Sequence, residues 1–396
     1  MLDRVLDIPG HARDAALVFA RLVLALLVAG SARGQAPATG AGADVPPDVP
    51  AYVPLAGGPS AGLRSASLRS AGVPGADTLA HDALHRHVDM AREEPFAATR
   101  RAVLSHPLVL LGDVHPAAEP KRLLLHLLRD PAVGSRLDAV AFEIPASAQR
   151  WITAYLQSSP EDPGLLARDP GTLRALWGGR EEWLAIFHEL WRLNRTRGRP
   201  LEVVAMDLPG WPSTVRSERA AVSMYIDRDS AMAANLLSQL ARCDQCERRG
   251  GPRVLAFVGG YHVLRGLEAD LSIGRHNGRV IWLATRLERK GVHPFTILTD
   301  GLPRAVGIGR DTVLGATRVF DVLQRRDWPP APYAVSVDDT FDDVAHAIRE
   351  PDDPTDITFT LRPGEYTLRG AVDLFIFWGR TTELADDGAA RRAGRD

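Results

Sequence analysis

Short apolar runs alternate with longer amphipathic segments after residue 107, and this alternation restricts the possible folds more than any other feature of the chain. A run that is almost continuously apolar is typical of a strand whose two faces are both covered. Such runs occupy residues 108–112, 139–144, 201–206, 254–258, 280–284 and 372–378, and predicted helices occupy residues 120–129, 146–156, 181–197 and 215–242. The alternation predicts an α/β fold with a largely parallel central sheet flanked by helices.

The composition is that of a folded protein without a large surface of one charge. The chain has 396 residues, of which 45% are hydrophobic, so it can bury a sizeable core. Its 47 basic and 49 acidic residues are spread along the sequence and give a formal net charge of -2. We expect no nucleic-acid partner, because no basic face stands out to contact phosphate. We expect one globular α/β domain over residues 94–382.

The N-terminal segment predicts export. Arg4, Arg13 and Arg21 precede an uncharged run over residues 22–32, and small residues follow through Ala36. This order is typical of a secretory signal peptide, which we place at residues 1–36. Because the run is shorter than the ~20 apolar residues that span a bilayer, we expect no membrane span after signal cleavage. The expected location is extracytoplasmic, either periplasmic or secreted.

Two other segments are predicted to lie outside the folded domain. Residues 37–93 read as a tether rich in Pro, Gly and Ala with a polar helical lead-in, and residues 383–396 read as a disordered tail. The only cysteines, Cys243 and Cys246, are spaced to close a small local disulfide in an oxidising compartment. A redox or metal role is the less favoured alternative, because the chain has no second cysteine pair to complete a zinc site.

Ionisable residues stand at four consecutive predicted strand ends. They are Asp113 and His115 after the first strand, Glu143 at the end of the second, Asp207 after the third and His262 after the fourth. In open α/β sheets, ligands bind where the carboxyl ends of the strands and their loops converge. Each histidine stands three residues after a glycine, and this Gly-x-x-His motif permits a tight turn over the sheet edge. We therefore expect His115 and His262 to converge with Glu143.

The residue types at these strand ends allow two kinds of chemistry. His115, Glu143 and His262 could ligate a divalent metal, or one imidazole could act as a general base that Glu143 orients. Asp113 and Glu119 are close enough in sequence to His115 to support it as acceptors or to serve as further ligands.

The predicted helix at residues 215–242 carries charged residues next to apolar ones. Arg228 shares a helix face with Met232, and Asp229 lies in line with Leu236 and Leu240. Two explanations are open. Arg228 and Asp229 either form a buried ion pair that supports the site or mark an ordinary amphipathic boundary.

Four motifs, taken together and in order, resemble those of one superfamily. They are residues 109–115 (VLLGDVH), 141–143 (AFE), 228–235 (RDSAMAAN) and 259–263 (GGYHV). Their order and spacing resemble the superfamily that joins ChaN-like haem-binding proteins, erythromycin-esterase-like hydrolases and TIKI/TraB-type proteins, with ChaN-like proteins closest. The resemblance covers residues 103–286 well. It implies an EreA/ChaN-like fold with a site built from His115, Glu143 and His262.

The superfamily implies more than one function. Its esterase-like members open lactones with a histidine, its TIKI-type members are metal-dependent proteases, and its ChaN-like members bind haem in iron uptake. We predict an exported hydrolase, metal-assisted or using a His base, that acts on a small-molecule or peptide substrate. The alternative is an extracytoplasmic haem- or metal-binding protein in iron uptake, with Tyr261 as the candidate haem ligand. A degenerate scaffold that binds a partner protein is the third possibility.

Export gives the first testable prediction. In its native host the mature chain should begin between Arg33 and Pro37, because small residues of this kind suit signal cleavage. Intact-mass analysis of the purified protein measures this directly. A variant with Leu24→Arg and Leu27→Arg interrupts the apolar run and should remain uncleaved. Full-length wild-type protein in the cytoplasm would contradict the prediction.

Overall fold

The computed structural model describes residues 86, 88–115, 117–168, 180–209, 217–242, 251–266, 268–303, 332–337, 357–361 and 368–382. Its strands are β1 Leu108–Asp113, β2 Ala139–Pro145, β3 Glu202–Asp207, β4 Val254–Gly259, β5 Glu268–Ile273, β6 His276–Ile281, β7 Phe295–Pro303, β8 Tyr333–Ser336, β9 Ile357–Leu361 and β10 Leu374–Thr381. Its helices are α1 Pro95–Ser105, α2 Glu119–Arg129, α3 Pro131–Arg136, α4 Gln149–Gln157, α5 Arg180–Thr196, α6 Glu218–Ala241, α7 Leu283–Glu288 and α8 Leu368–Ala371. A 3-10 turn, Gly260–Val263, follows β4 directly.

Seven of the described strands form the central sheet, in the order β3-β2-β4-β1-β7-β10-β8. Neighbouring strands are parallel throughout, except that β8 runs antiparallel to β10. The largely parallel sheet predicted from the alternation of the sequence is therefore confirmed. Strands β3, β2, β4 and β1 are consecutive neighbours, so their carboxyl ends lie side by side at one edge of the sheet.

The sheet is covered on both faces, which explains why its strands are apolar without interruption. Successive side chains of β1 point to opposite faces. Leu110 belongs to the core that includes Met232 of α6, whereas Leu111 belongs to the core that includes Leu124 of α2. Helices α6 and α7 thus contribute to the core on one face, and α1, α2, α4 and α5 to the core on the other.

Most predicted elements agree with the observed ones. The first four predicted strands match β1 to β4 to within one residue at each end, and the four predicted helices match α2, α4, α5 and α6 to within three. The predicted strand at residues 280–284 is wrong. These residues span the end of β6, the extended residue Trp282 that precedes α7, and the first turn of α7. Strand β6 is partly exposed along most of its length and belongs to a separate antiparallel sheet with the order β6-β5-β9.

Several sequence predictions concern parts of the chain outside the described residues. These are the signal peptide at 1–36, most of the tether at 37–93, the pair Cys243 and Cys246, and the tail at 383–396. The last residues of the lead-in pack on the domain, because the N–H of Glu93 donates to the carbonyl of Ala334 and the N–H of Ala334 donates to the carbonyl of Glu93. No helix in the described part of the chain is long and apolar enough to cross a membrane.

The close approach of β1 to β7 generates a prediction about stability. A Cβ added at Gly112 would lie 2.9 Å from the carbonyl oxygen of Ile297, which belongs to the strand backbone and cannot easily move. Gly112→Ala should therefore lower the free energy of unfolding by about 1–3 kcal/mol. Gly198→Ala is the control, because a Cβ there would meet no atom within 4 Å. Urea unfolding of both variants measures the difference, and equal midpoints would contradict the prediction.

Candidate active site

The strand order brings the predicted site residues to one edge of the sheet. Asp113 is the last residue of β1, Asp207 ends β3, and Glu143 lies near the end of β2. His262 lies in the 3-10 turn that follows β4. Since β4 stands between β1 and β2, this turn lies between the ends of the other two strands.

His115 is held by an acceptor on its own loop. Its Nδ1 lies 3.0 Å from Oδ2 of Asp113, which is buried, while the His115 side chain is 28% exposed. Asp113 in turn accepts hydrogen bonds from Nζ of Lys121, at 2.8 Å to Oδ1 and 2.7 Å to Oδ2. A carboxylate at Nδ1 favours the tautomer that carries its proton there, which leaves Nε2 as the basic nitrogen. His115 is thus oriented but still accessible to solvent.

Glu143 is the centre of the buried charge network. Its Oε2 accepts the backbone N–H of Gly259 at 2.7 Å. Its Oε1 accepts a hydrogen bond from Nη2 of Arg228 and lies 3.3 Å from Nε2 of His262. Burial raises the pKa of Glu143, but the positive charges of His262 and Arg228 outweigh burial and hold that pKa well below its usual range. Glu143 is therefore an ionised, fully engaged carboxylate.

Arg228 joins two strand ends from helix α6. Besides its contact with Glu143, its Nε donates to both oxygens of Asp207, at 3.2 and 3.0 Å, and its Nη2 donates to Oδ2 at 2.7 Å. Arg228 and Asp207 are both buried. Burial raises the pKa of Asp207, and Arg228 only partly offsets the rise. Of the two explanations for this helix, the structure shows buried charges that support the site, but their partners lie on other elements: Arg228 pairs with Asp207 and Glu143, and Asp229 pairs with His262.

His262 lies between two carboxylates. Its Nδ1 is 2.7 Å from Oδ1 of Asp229, and its Nε2 faces Glu143. Burial alone would lower the pKa of His262, but the charges of Asp229 and Glu143 raise it to about 10. His262 is consequently a charged imidazolium at neutral pH and donates from both ring nitrogens. In this state it cannot act as a general base.

His115 and Glu143 meet over Gly259. A Cβ at this position would lie 2.9 Å from Nε2 of His115 and 3.3 Å from Oε2 of Glu143. Any larger residue would push the imidazole and the carboxylate apart. The predicted convergence of His115, Glu143 and His262 is what the structure shows.

The donor set does not fit a bound divalent metal. Both ring nitrogens of His262 face carboxylates, Nδ1 that of Asp229 and Nε2 that of Glu143, rather than a shared open position. Both oxygens of Glu143 already accept hydrogen bonds. Within the described ranges, no group of three or more His, Cys, Asp and Glu side chains is arranged to hold a metal ion.

The remaining predicted residues lie beside the network. Glu119 begins α2, where its Oε1 accepts the backbone N–H of Thr382 at 2.9 Å. The ring of Tyr261 stacks on Trp282 with 5.3 Å between centroids. Burial raises the pKa of Tyr261 to about 12.

One residue of the site was missed by the sequence analysis. Lys121 is fully buried and donates to Asp113 and to the carbonyl of His115. The signal was present in the composition, because Lys121 and Lys290 are the only lysines among 47 basic residues. A lysine placed six residues after His115, on a helix that starts beside the sheet edge, could have been singled out on that ground.

The fold and the site define an α/β protein with a charged, two-histidine site at the carboxyl edge of a parallel sheet. No protein-family profile matches the sequence, and no curated protein is significantly similar to it. Solved structures that are similar at low identity include a succinoglycan biosynthesis protein (TM-score 0.49, 10% identity, 78% of this chain and 99% of that chain), a Bacillus cereus protein (0.45, 9%, 77% and 99%) and a mutant of erythromycin esterase EreC in its open conformation (0.45, 12%, 73% and 94%).

The ionisation of His262 predicts a specific dependence of stability on pH. Its pKa rises from 6.5 in the unfolded chain to about 10 in the folded one. The stabilisation is fully present below pH 6.5 and is lost as the pH rises from 6.5 to 10. Urea unfolding of the wild type and of His262→Gln should therefore differ by on the order of a few kcal/mol at pH 6 and converge towards pH 10. His293→Gln, an exposed position, should follow the wild type. A difference that does not change with pH would contradict the charged state of His262.

Proposed function

We propose that the protein is a hydrolase in which His115 is the general base and His262 is a charged stabiliser of the transition state. The observation that carries the proposal is the contrast between the two histidines. His115 is partly exposed and has one carboxylate at Nδ1, whereas His262 is buried with a carboxylate at each nitrogen. A base must take up a proton and contact water, and only His115 meets both conditions.

The proposed reaction uses each residue in one role. Nε2 of His115 takes a proton from a water molecule, and the hydroxide adds to the carbonyl carbon of an ester or amide. The carbonyl oxygen becomes an oxyanion, and the positive charge of His262 acts on it through space, because both N–H groups of His262 already face Asp229 and Glu143. His115 then returns its proton to the leaving oxygen or nitrogen as the carbon–heteroatom bond breaks, which gives a carboxylic acid and an alcohol or amine. Glu143 positions His262 and lies beside His115 throughout.

The resemblance to erythromycin-esterase-like proteins supports this reaction class, and we propose membership of that superfamily on the four ordered motifs. Substrates of the proposed enzyme are small esters or short peptides. We also propose that it acts outside the cytoplasm, on the basis of the sequence of residues 1–36. Haem binding is the alternative, and it is measured in the same experiment.

The test compares two histidine–carboxylate pairs in the same protein. His115→Gln removes the base and should lower kcat/KM by about 10²–10⁴-fold on the active members of an ester and peptide panel. The matched control is His188→Gln, since Nδ1 of His188 lies 2.8 Å from Oε2 of Glu161 on the surface, away from the site. This variant should keep wild-type turnover. Urea unfolding of both variants shows that any loss is not a loss of folding.

Three outcomes would overturn the proposal. Equal turnover in the wild type and His115→Gln would exclude His115 as the base. A stoichiometric divalent metal that activity requires would replace the His-base mechanism. A Soret band on haem titration that is lost in Tyr261→Phe, with no hydrolysis by the wild type, would favour the haem-binding alternative.

A further inference from the structure

Lys121 has an environment that is unusual for a lysine. Its side chain has no solvent exposure. Its Nζ lies 2.8 and 2.7 Å from the two oxygens of Asp113, 2.7 Å from the carbonyl oxygen of His115 and 3.4 Å from that of Val114. All four contacting atoms are oxygens that accept hydrogen bonds. Burial lowers the pKa of Lys121, but the neighbouring carboxylate and carbonyls favour the charged ammonium.

The chemistry of the ammonium suits this position, in a chain whose basic residues are arginines apart from Lys121 and Lys290. Of 47 basic residues, two are lysines, so 45 are arginines. The compact ammonium can donate to acceptors that converge from three directions, whereas the planar guanidinium presents its donors in one plane. The acceptors around Lys121 come from a carboxylate and from the main chain of the same loop. The compact ammonium of Lys121 can therefore contact all of these acceptors at once.

We propose that Lys121 is the positioning residue that sets the orientation and proton affinity of His115 through Asp113. The proposal rests on the function proposed above. Two contacts fix the carboxylate of Asp113, whose Oδ2 then holds Nδ1 of His115. A third contact fixes the main chain of His115 itself. Lys121 therefore controls both the ring and the loop that carries it.

The charges around His115 determine the direction of the effect. Lys121 offsets the charge of Asp113, so His115 faces a pair that is close to neutral. Among the residues that the structure describes, the other charged groups that act on this pair are Glu119 and Glu182, each 3.9 Å from Arg122, together with Glu143 and, beyond it, His262. Without the ammonium, the carboxylates on this side dominate. Protonation of the Asp113–His115 pair would then become easier, and the basic form of His115 would require a higher pH.

The test is a double-mutant cycle with the pH dependence of His115 as its readout. Lys121→Met removes the positive charge and should move the acid limb of the kcat/KM profile up by about one pH unit or more. Asp113→Asn leaves the ammonium of Lys121 without its carboxylate partner and should move the acid limb to lower pH. The double variant exchanges the ion pair for neutral groups of similar size and should return the limb towards the wild-type position. Lys290→Met, at an exposed lysine, should leave the profile unchanged.

Nitrogen NMR of labelled imidazoles measures the same quantities without turnover. His115 should titrate with the same order of shifts in the four proteins, and the wild type should carry its proton on Nδ1. If Lys121→Met does not fold, the effect of Lys121 is measured by comparing Asp113→Asn with the double variant. Adding Lys121→Met to Asp113→Asn should raise the titration midpoint of His115. If Lys121 only supported the fold, Lys121→Met and Asp113→Asn would not shift the titration midpoint of His115 in opposite directions.

The two proposals fail in different ways. If the wild type hydrolyses nothing while the NMR midpoints of His115 move as expected, the hydrolase function is wrong and the role of Lys121 stands. If the wild type is active and the midpoints of all variants coincide, Lys121 only supports the fold. An Nε2–H tautomer of His115 in the wild type would overturn the proposed role of Lys121 directly.

Discussion

The arrangement of the site depends on the contacts of one carboxylate, that of Glu143. The ladder between β2 and β4 ends at Phe142 and Phe257, and Glu143 continues it by accepting the N–H of Gly259 with its side chain. Its other oxygen receives Arg228 from helix α6. A buried carboxylate is costly unless donors surround it. Glu143 is contacted by the N–H of Gly259, the guanidinium of Arg228 and the imidazolium of His262. Glu143 thereby fixes two strand ends and one helix relative to each other. Its truncation would leave Arg228 buried with part of its charge uncompensated.

The two Gly-x-x-His motifs carry histidines in opposite electrostatic surroundings. The carboxylate that contacts His115 belongs to Asp113, whose charge is already offset by Lys121. The two carboxylates that contact His262 leave it strongly stabilised as a cation. Similar motifs at equivalent strand ends therefore do not imply similar roles. The difference arises from residues on helices α2 and α6, which lie outside both motifs.

The sequence was informative where burial leaves a local pattern and less so where contacts are long-range. Parallel strands covered on both faces are continuously apolar, which is why β1 to β4 were predicted and why Glu143 and Asp207 could be assigned to strand ends. The strand predicted at residues 280–284 was wrong, because the half-exposed end of one strand and the buried start of a helix together form one short apolar run. Convergence of His115 with His262 followed from the positions of the two Gly-x-x-His motifs at strand ends, because the carboxyl ends of parallel strands share one edge of the sheet. The ionisation of His262 did not, since it depends on Asp229, 33 residues away in sequence.

The site is assembled from the two faces of the sheet, and this separates its two tasks. Lys121 is carried by α2, whose leucines pack in the core on one face, whereas Arg228 and Asp229 are carried by α6, which packs on the other. Helix α2 thus supports His115, the proposed base. Helix α6 supports the imidazolium of His262, directly through Asp229 and through the contact of Arg228 with Glu143. The halves adjoin at Gly259, where the absence of a side chain leaves room for both the ring of His115 and the carboxylate of Glu143. Changes in α2 should therefore alter proton uptake by His115, while changes in α6 should alter the charge that a developing oxyanion would meet.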